Sequence, residues 1–74
     1  MSKSPEMPGG TFAANLAVAR EWRGYNYPEL AERSGVDVGS VYRLEKGETE
    51  PRLGTVIRLA EALGMTTSEL VAGL

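Results

Sequence analysis

Apolar positions along the chain recur at helical spacing in blocks, with glycine and short polar runs between them. Phe12, Leu16 and Ala19 share one stripe, which predicts a helix from about Phe12 to Arg23, capped by Thr11 and stopped by Gly24. Leu30 and Ala31 carry a second stripe, and Val36, Val41 and Leu44 a third, with Ser34-Gly35 breaking the pattern between them. Two short helices are expected there, Tyr27 to Ser34 and Val38 to Lys46. Leu53, Val56, Ile57, Ala60 and Leu63 define a longer helix from about Arg52 to Leu63, closed by Gly64. The box Thr66-x-x-Glu69 opens a last short helix carrying Leu70, Val71 and Leu74. No stretch alternates with the period of a strand, so the expected class is all-α, a compact arrangement of five helices.

The stretch from Asn26 to Gly47 organises the rest. Asn26 caps its first helix with Glu29 as capping-box partner, Pro28 sits in the first turn where it costs no helical hydrogen bond, and Asp37 caps the second helix. Gly35 stands where the chain must turn left-handed between them. Two short helices joined by a glycine-containing turn form a helix-turn-helix, whose second helix suits a DNA major groove. Residues 1–10 read as a flexible tail rich in Ser, Pro and Gly, and residues 11–74 as the domain. The tail is a weak candidate for a DNA-reaching arm, because Lys3 is its sole basic side chain. Trp22 is expected to pack over the end of the core or onto the last helix, the alternative being a partner-binding aromatic, and Glu29 with Arg33 to form a solvated pair.

Composition removes several classes. With neither cysteine nor histidine in 74 residues, there is no disulfide framework, no thiolate metal site and no general base of the usual neutral-pH kind. Carboxylates are scattered, without a nucleophile or a phosphate-cradling loop, so no enzyme, cofactor, metal or small-molecule effector is implied. No run approaches the roughly 18 apolar residues of a membrane span, and the first residues lack the apolar middle of a signal peptide. A cytoplasmic protein is expected. The net charge of −2 and pI near 5.0 run against nucleic-acid binding, which usually shows a basic balance.

From about Leu16 to Leu70 the chain resembles the lambda-repressor and Cro-like (XRE-type) helix-turn-helix family of bacterial and phage regulators. Leu16 and Arg20, Leu30-Ala31, Gly35-Val36, Val41, Leu44-Glu45, Gly47, Pro51, Leu59-Ala60, Leu63-Gly64 and Leu70 carry the resemblance. It implies a five-helix domain, usually dimeric, that binds operator DNA and regulates transcription as repressor or controller. By position, Val38, Gly39, Ser40, Tyr42 and Arg43 match sites from which the family contacts base edges or nearby phosphates. Arg43 suits guanine O6 and N7, Ser40 suits base or phosphate, and Val38 suits a thymine methyl group. Gly39 has nothing to read with, and its value would lie in close approach to DNA. Asn26, Tyr27 and Arg52 stand at helix starts suited to phosphate, and Lys46 is a further phosphate candidate. The family often has Gln where this chain has Tyr27, a residue that braces the recognition helix and holds a phosphate. A phenol donates one hydrogen bond but does not copy an amide. Arg20 and Glu45 match a structural ion pair.

Residues 20–58 hold seven basic side chains (Arg20, Arg23, Arg33, Arg43, Lys46, Arg52, Arg58) and seven acidic ones (Glu21, Glu29, Glu32, Asp37, Glu45, Glu48, Glu50). The recognition unit is therefore neutral, and few phosphate contacts per subunit imply modest non-specific affinity. A dimer doubles that count. Met65, Leu70, Val71 and Leu74 look too numerous for one short terminal helix to bury, so they are expected to form a two-fold interface. The expected partners are thus double-stranded DNA, as a pseudo-palindromic operator, and a second copy of the chain. The alternative is a protein-binding adaptor that keeps the fold without DNA, in line with the acidic pI, Gly39 and Tyr27.

Overall fold

The structure, a computed structural model, describes residues 4–74. Its elements are α1 (Phe12–Arg23), α2 (Tyr27–Ser34), α3 (Val38–Glu45), α4 (Leu53–Leu63) and α5 (Thr67–Leu70), with no strand among the described residues. Local chemistry accounts for the boundaries. Thr11 Oγ1 accepts from the Ala14 amide at 3.1 Å. Asn26 Oδ1 accepts from Glu29 N and Glu29 Oε1 accepts from Asn26 N, both at 2.8 Å, closing the expected capping box. Asp37 caps α3 through Ser40 N, and Thr66 with Glu69 closes a second box at α5. Gly35 ends α2 at φ 75°, in the left-handed region that a Cβ disfavours, and so lets α3 turn away from α2.

One core joins all five helices. Leu16 and Ala19 of α1, Leu30 of α2, Val41 and Leu44 of α3, Val56, Leu59, Ala60 and Leu63 of α4 and Leu70 of α5 are buried together with Val36 and Met65. α2 packs on α3 and α4, while α1 contacts α3, α4 and α5. Two helix ends fall one residue inside the expected bounds: α3 stops at Glu45 with Lys46 as its cap, and α4 begins at Leu53 after Arg52. The last helix is a single turn, and Leu74 lies beyond it.

Three apolar assignments change. The buried arc of α4 is Val56, Leu59, Ala60 and Leu63, whereas Leu53 is 71% exposed and Ile57 40%. Ile57 lies on the flank of that arc and Leu53 in the first turn, so periodicity placed both near a face whose core contacts begin later. Met65 and Leu70 are buried in the core of their own subunit, and Val71 packs partly against it. Met65 and Leu70 therefore leave the expected seam, because the α4–α5 corner folds them inward. Trp22 is 43% exposed rather than packed over the core, and the Arg23 guanidinium covers its ring at 4.6 Å.

Two ties between chain segments were not anticipated from the sequence. Asn15, fully buried, donates from Nδ2 to the carbonyls of Leu70 and Ala72, each at 2.9 Å, and accepts from Gly9 N at 2.9 Å. It satisfies its polar atoms by holding both ends of the domain to α1. Residues of the expected tail thus lie against the domain: Met7 packs on the core and Gly10 N donates to Gly73 O at 3.2 Å. Lys3, the basic side chain of the suggested arm, lies outside the described residues. The second tie is Arg23 Nε, which donates to Leu63 O at 2.6 Å, placing a cation at the C-terminus of α4 where the helix dipole favours one.

Candidate nucleic-acid interface

α3 is held by one face and free on the other. Val41 and Leu44 point into the core, while Val38, Tyr42, Arg43 and Lys46 are exposed. Residues one turn apart on that outer face meet each other: the Lys46 ammonium lies over the Tyr42 ring at 5.1 Å, and Arg43 Nη2 donates to Ser40 Oγ at 3.4 Å.

The inner end of α3 is anchored through Glu45. Arg20 of α1 donates from Nε and Nη2 to the two carboxylate oxygens of Glu45, at 2.5 and 3.1 Å, and from Nη1 to the Tyr25 carbonyl at 2.8 Å. Both side chains are shielded, with 14% of Arg20 and 4% of Glu45 exposed. The hydrogen bond to Glu45 is the main reason that the Arg20 pKa is raised above its already high ordinary value, so the cation persists at every physiological pH. The expected ion pair is present, and a two-pronged guanidinium bond fixes angle as well as distance.

Tyr27 takes part in the same assembly by its ring. The Arg20 guanidinium covers it at 4.5 Å, and the Tyr42 ring meets it edge to face with centroids 5.5 Å apart. Glu45, Arg20, Tyr27, Tyr42 and Lys46 therefore stack in sequence from the core to the surface. Aromatic pairs of this geometry and guanidinium–ring contacts are each worth roughly 0.5–1.5 kcal/mol. Tyr27 braces α3 by stacking its ring against Tyr42.

Of the helix starts, Asn26 has its Oδ1 committed to the capping box, which leaves Nδ2 as the side chain's donor group. Arg52 caps α4 with no side-chain hydrogen bond, unlike the residues that open the other four helices. The first amides of α4 thus lack the partner that Thr, Asn or Asp supplies elsewhere. A shallow groove lined by Ser40, Thr49, Glu50 and Arg52 joins this end of α4 to α3. Glu50 adds an acid to its wall. The structure thus brings Tyr27, Tyr42 and Lys46 together, groups Gly39, Ser40 and Arg43, and sets Arg52 across the groove from Ser40. Val38 stands exposed on the first turn of α3, four residues before Tyr42.

An all-helical domain in which α2 and α3 meet through a glycine turn, with the second helix exposed, is the arrangement of a helix-turn-helix regulator. The helix-turn-helix family model matches residues 16–70, and the chain belongs to that family. An HTH-type transcriptional regulator of Haemophilus influenzae is 38% identical over 53 residues, which span 72% of this chain and 54% of the relative. The chain thus accounts for about half the length of that protein. Among solved structures, the restriction-modification controller protein C.AhdI from Aeromonas hydrophila superposes with a TM-score of 0.77 at 32% identity, covering 80% of this chain and 89% of the other. The P22 c2 repressor, solved with a synthetic operator, superposes with a TM-score of 0.78 at 22% identity over 88% of this chain and 98% of the other, a likeness of fold. The lambda-repressor-like resemblance and the five-helix class read from the sequence are both upheld. The named relatives are transcriptional regulators rather than enzymes.

Proposed function

We propose that this chain is the DNA-binding unit of a sequence-specific transcriptional regulator of repressor or controller type, which binds a pseudo-palindromic operator as a homodimer with α3 in the major groove. The observation that carries this reading is the outer face of α3, where Arg43, Tyr42 and Val38 are exposed on a helix whose other face is locked by Val41, Leu44 and Glu45. A rigidly held helix with a chemically varied free face suits base reading. Arg43 reads a guanine in this proposal. The uncapped start of α4 beside Arg52, together with Asn26, Tyr27 and Lys46, holds phosphate. The neutral balance of residues 20–58 makes affinity depend on engaging two half-sites, each with few phosphate contacts.

The dimer seam we propose runs through Leu53 and Ile57, one turn apart on α4 and left outside the core, with Leu74 as the member of the first expected set that stays exposed. Leu53 follows Arg52 directly, so a two-fold seam there lies next to the proposed phosphate contacts. Selection of bound duplexes from a random library at low salt tests the whole reading. The expected result is an inverted repeat with half-sites about one helical turn, roughly 34 Å, apart. Inserting half a turn between them should weaken binding sharply, and indifference to that insertion would remove the paired-helix arrangement.

A further inference from the structure

We propose that Gly39 is a specificity-determining residue, because the space over its missing side chain seats the guanidinium of Arg43 at the first turn of α3. This rests on the reading of α3 as the DNA-reading helix. A Cβ built at position 39 would lie 3.2 Å from Arg43 Nη1, 3.8 Å from Arg43 Cζ and 3.0 Å from Asp37 Oδ2. The void is therefore already filled, by the end of one cationic side chain and by the cap carboxylate. Arg43 reaches this place because a helical side chain leans toward the N-terminus, over the residues three and four positions before it. Its Nη2 donates to Ser40 Oγ at 3.4 Å there, while Asp37 Oδ2 accepts from Ser40 N at 3.2 Å.

The placement has an electrostatic logic. A guanidinium at a helix N-terminus faces the positive end of the dipole, which is unfavourable. The Asp37 carboxylate next to the same void offsets that repulsion. Seated so, the fork is directed by Ser40, and fewer of its conformations are lost when it meets paired acceptors such as guanine O6 and N7. A Cβ at position 39 would crowd Nη1 and make the fork give by a few tenths of an ångström, which loosens its seat on Ser40. Glycine in an exposed helix is otherwise a poor choice, being the weakest helix former after proline.

The test separates reading from stability. Gly39→Ala should leave the melting temperature near the parent's, the gain in helix propensity being offset by the shift forced on the Asp37 cap 3.0 Å away, and yet weaken binding to the selected operator by about tenfold, within the range for losing one oriented bidentate pair. The preference for guanine at one position per half-site should relax with it. In an Arg43→Ala background the same Gly39→Ala change should leave affinity nearly unaltered, since its effect runs through the guanidinium. An equal loss in that background would assign Gly39 to close helix approach and overturn the proposal, as would undiminished affinity and preference in the single variant. A second readout needs no DNA. The Nε–Hε order parameter of Arg43 in the free protein should exceed that of the exposed Arg58 and fall to its level in Gly39→Ala. Equal values in the parent would overturn the seat itself. Failure of the parent to bind any duplex at low salt would instead overturn the DNA reading, and with it the specificity role, whatever the order parameters show.

Discussion

The guanidinium of Arg20 lies over the ring of Tyr27, 4.5 Å from its centroid, while the same group grips both oxygens of Glu45. One cation thus ties α1 to the first turn of α2 and the last turn of α3. Arg20→Ala should destabilise the domain by about 3–5 kcal/mol, because it strands a carboxylate that is 4% exposed. Urea unfolding measures the loss. Arg20→Lys, which keeps the charge but not the fork, should recover part of it.

Tyr27 acts in the free protein through its ring. Tyr27→Phe should therefore leave stability within about 0.5 kcal/mol of the parent, whereas Tyr27→Ala should cost roughly 2 kcal/mol from the aromatic and cation–ring contacts together. The proposed phosphate contact of the hydroxyl is separable from this. If it is made, Tyr27→Phe weakens all duplexes alike while unfolding at the parent's midpoint.

Arg43 and Arg52 should differ in kind. Arg43→Ala should cost about 1–3 kcal/mol on the preferred operator and relax one base position per half-site. Arg52→Ala should weaken every duplex equally and lower the salt slope by roughly one per subunit. Competition binding across single-base variants at several salt concentrations reads both. Equal, sequence-independent losses for the two would remove Arg43 from the reading role.

The seam proposed at Leu53 and Ile57 predicts a clean dissociation of assembly from folding. Replacing both by Ser should shift sedimentation at micromolar concentration toward a single chain while leaving the helical circular dichroism intact, since neither side chain belongs to the core cluster. A parent that sediments as one 8.0 kDa chain, with or without operator, would end the dimer reading.

Acid should loosen the end of the domain first. The backbone hydrogen bond from Thr66 holds the Glu69 carboxylate below its ordinary pKa, with Ser4 and the Thr66 hydroxyl adding to the effect. A folded pKa below the unfolded one gives stability that is complete above the unfolded value of 4.5 and is lost as pH falls through the folded one. Melting temperatures of Glu69→Gln and parent should therefore differ at neutral pH and converge in acid, by an amount limited by the exposure of the group.

The boundaries of α1 and α2, the starts of α3 and α5 and the end of α4 were legible because caps and glycines act within three or four residues of where they stand. Thr11, Asn26, Asp37 and Thr66 satisfy amides that the sequence itself places beside them, and Gly24, Gly35 and Gly64 end helices by their own backbone freedom. The Arg20–Glu45 pair was legible by resemblance, and the outer face of α3 by periodicity. Most of the core was legible by the same periodicity, from Leu16 to Leu63, but the edges of each stripe were not, because a period gives an angle around a helix and says nothing of where the neighbouring helices stand. Leu53 and Ile57 share a stripe with the core yet are left exposed at its end and flank, while Met65 and Leu70, assigned to a partner, are covered by their own chain. Asn15 reads as a polar residue on an apolar face until Leu70, 55 residues on, offers it a carbonyl. Tyr27 beside Tyr42 and Arg43 over Gly39 are likewise decided by approach. Local hydrogen bonds and backbone freedom are written in neighbouring residues, whereas stacking, burial and the filling of a void depend on distances that exist only once the five helices have packed.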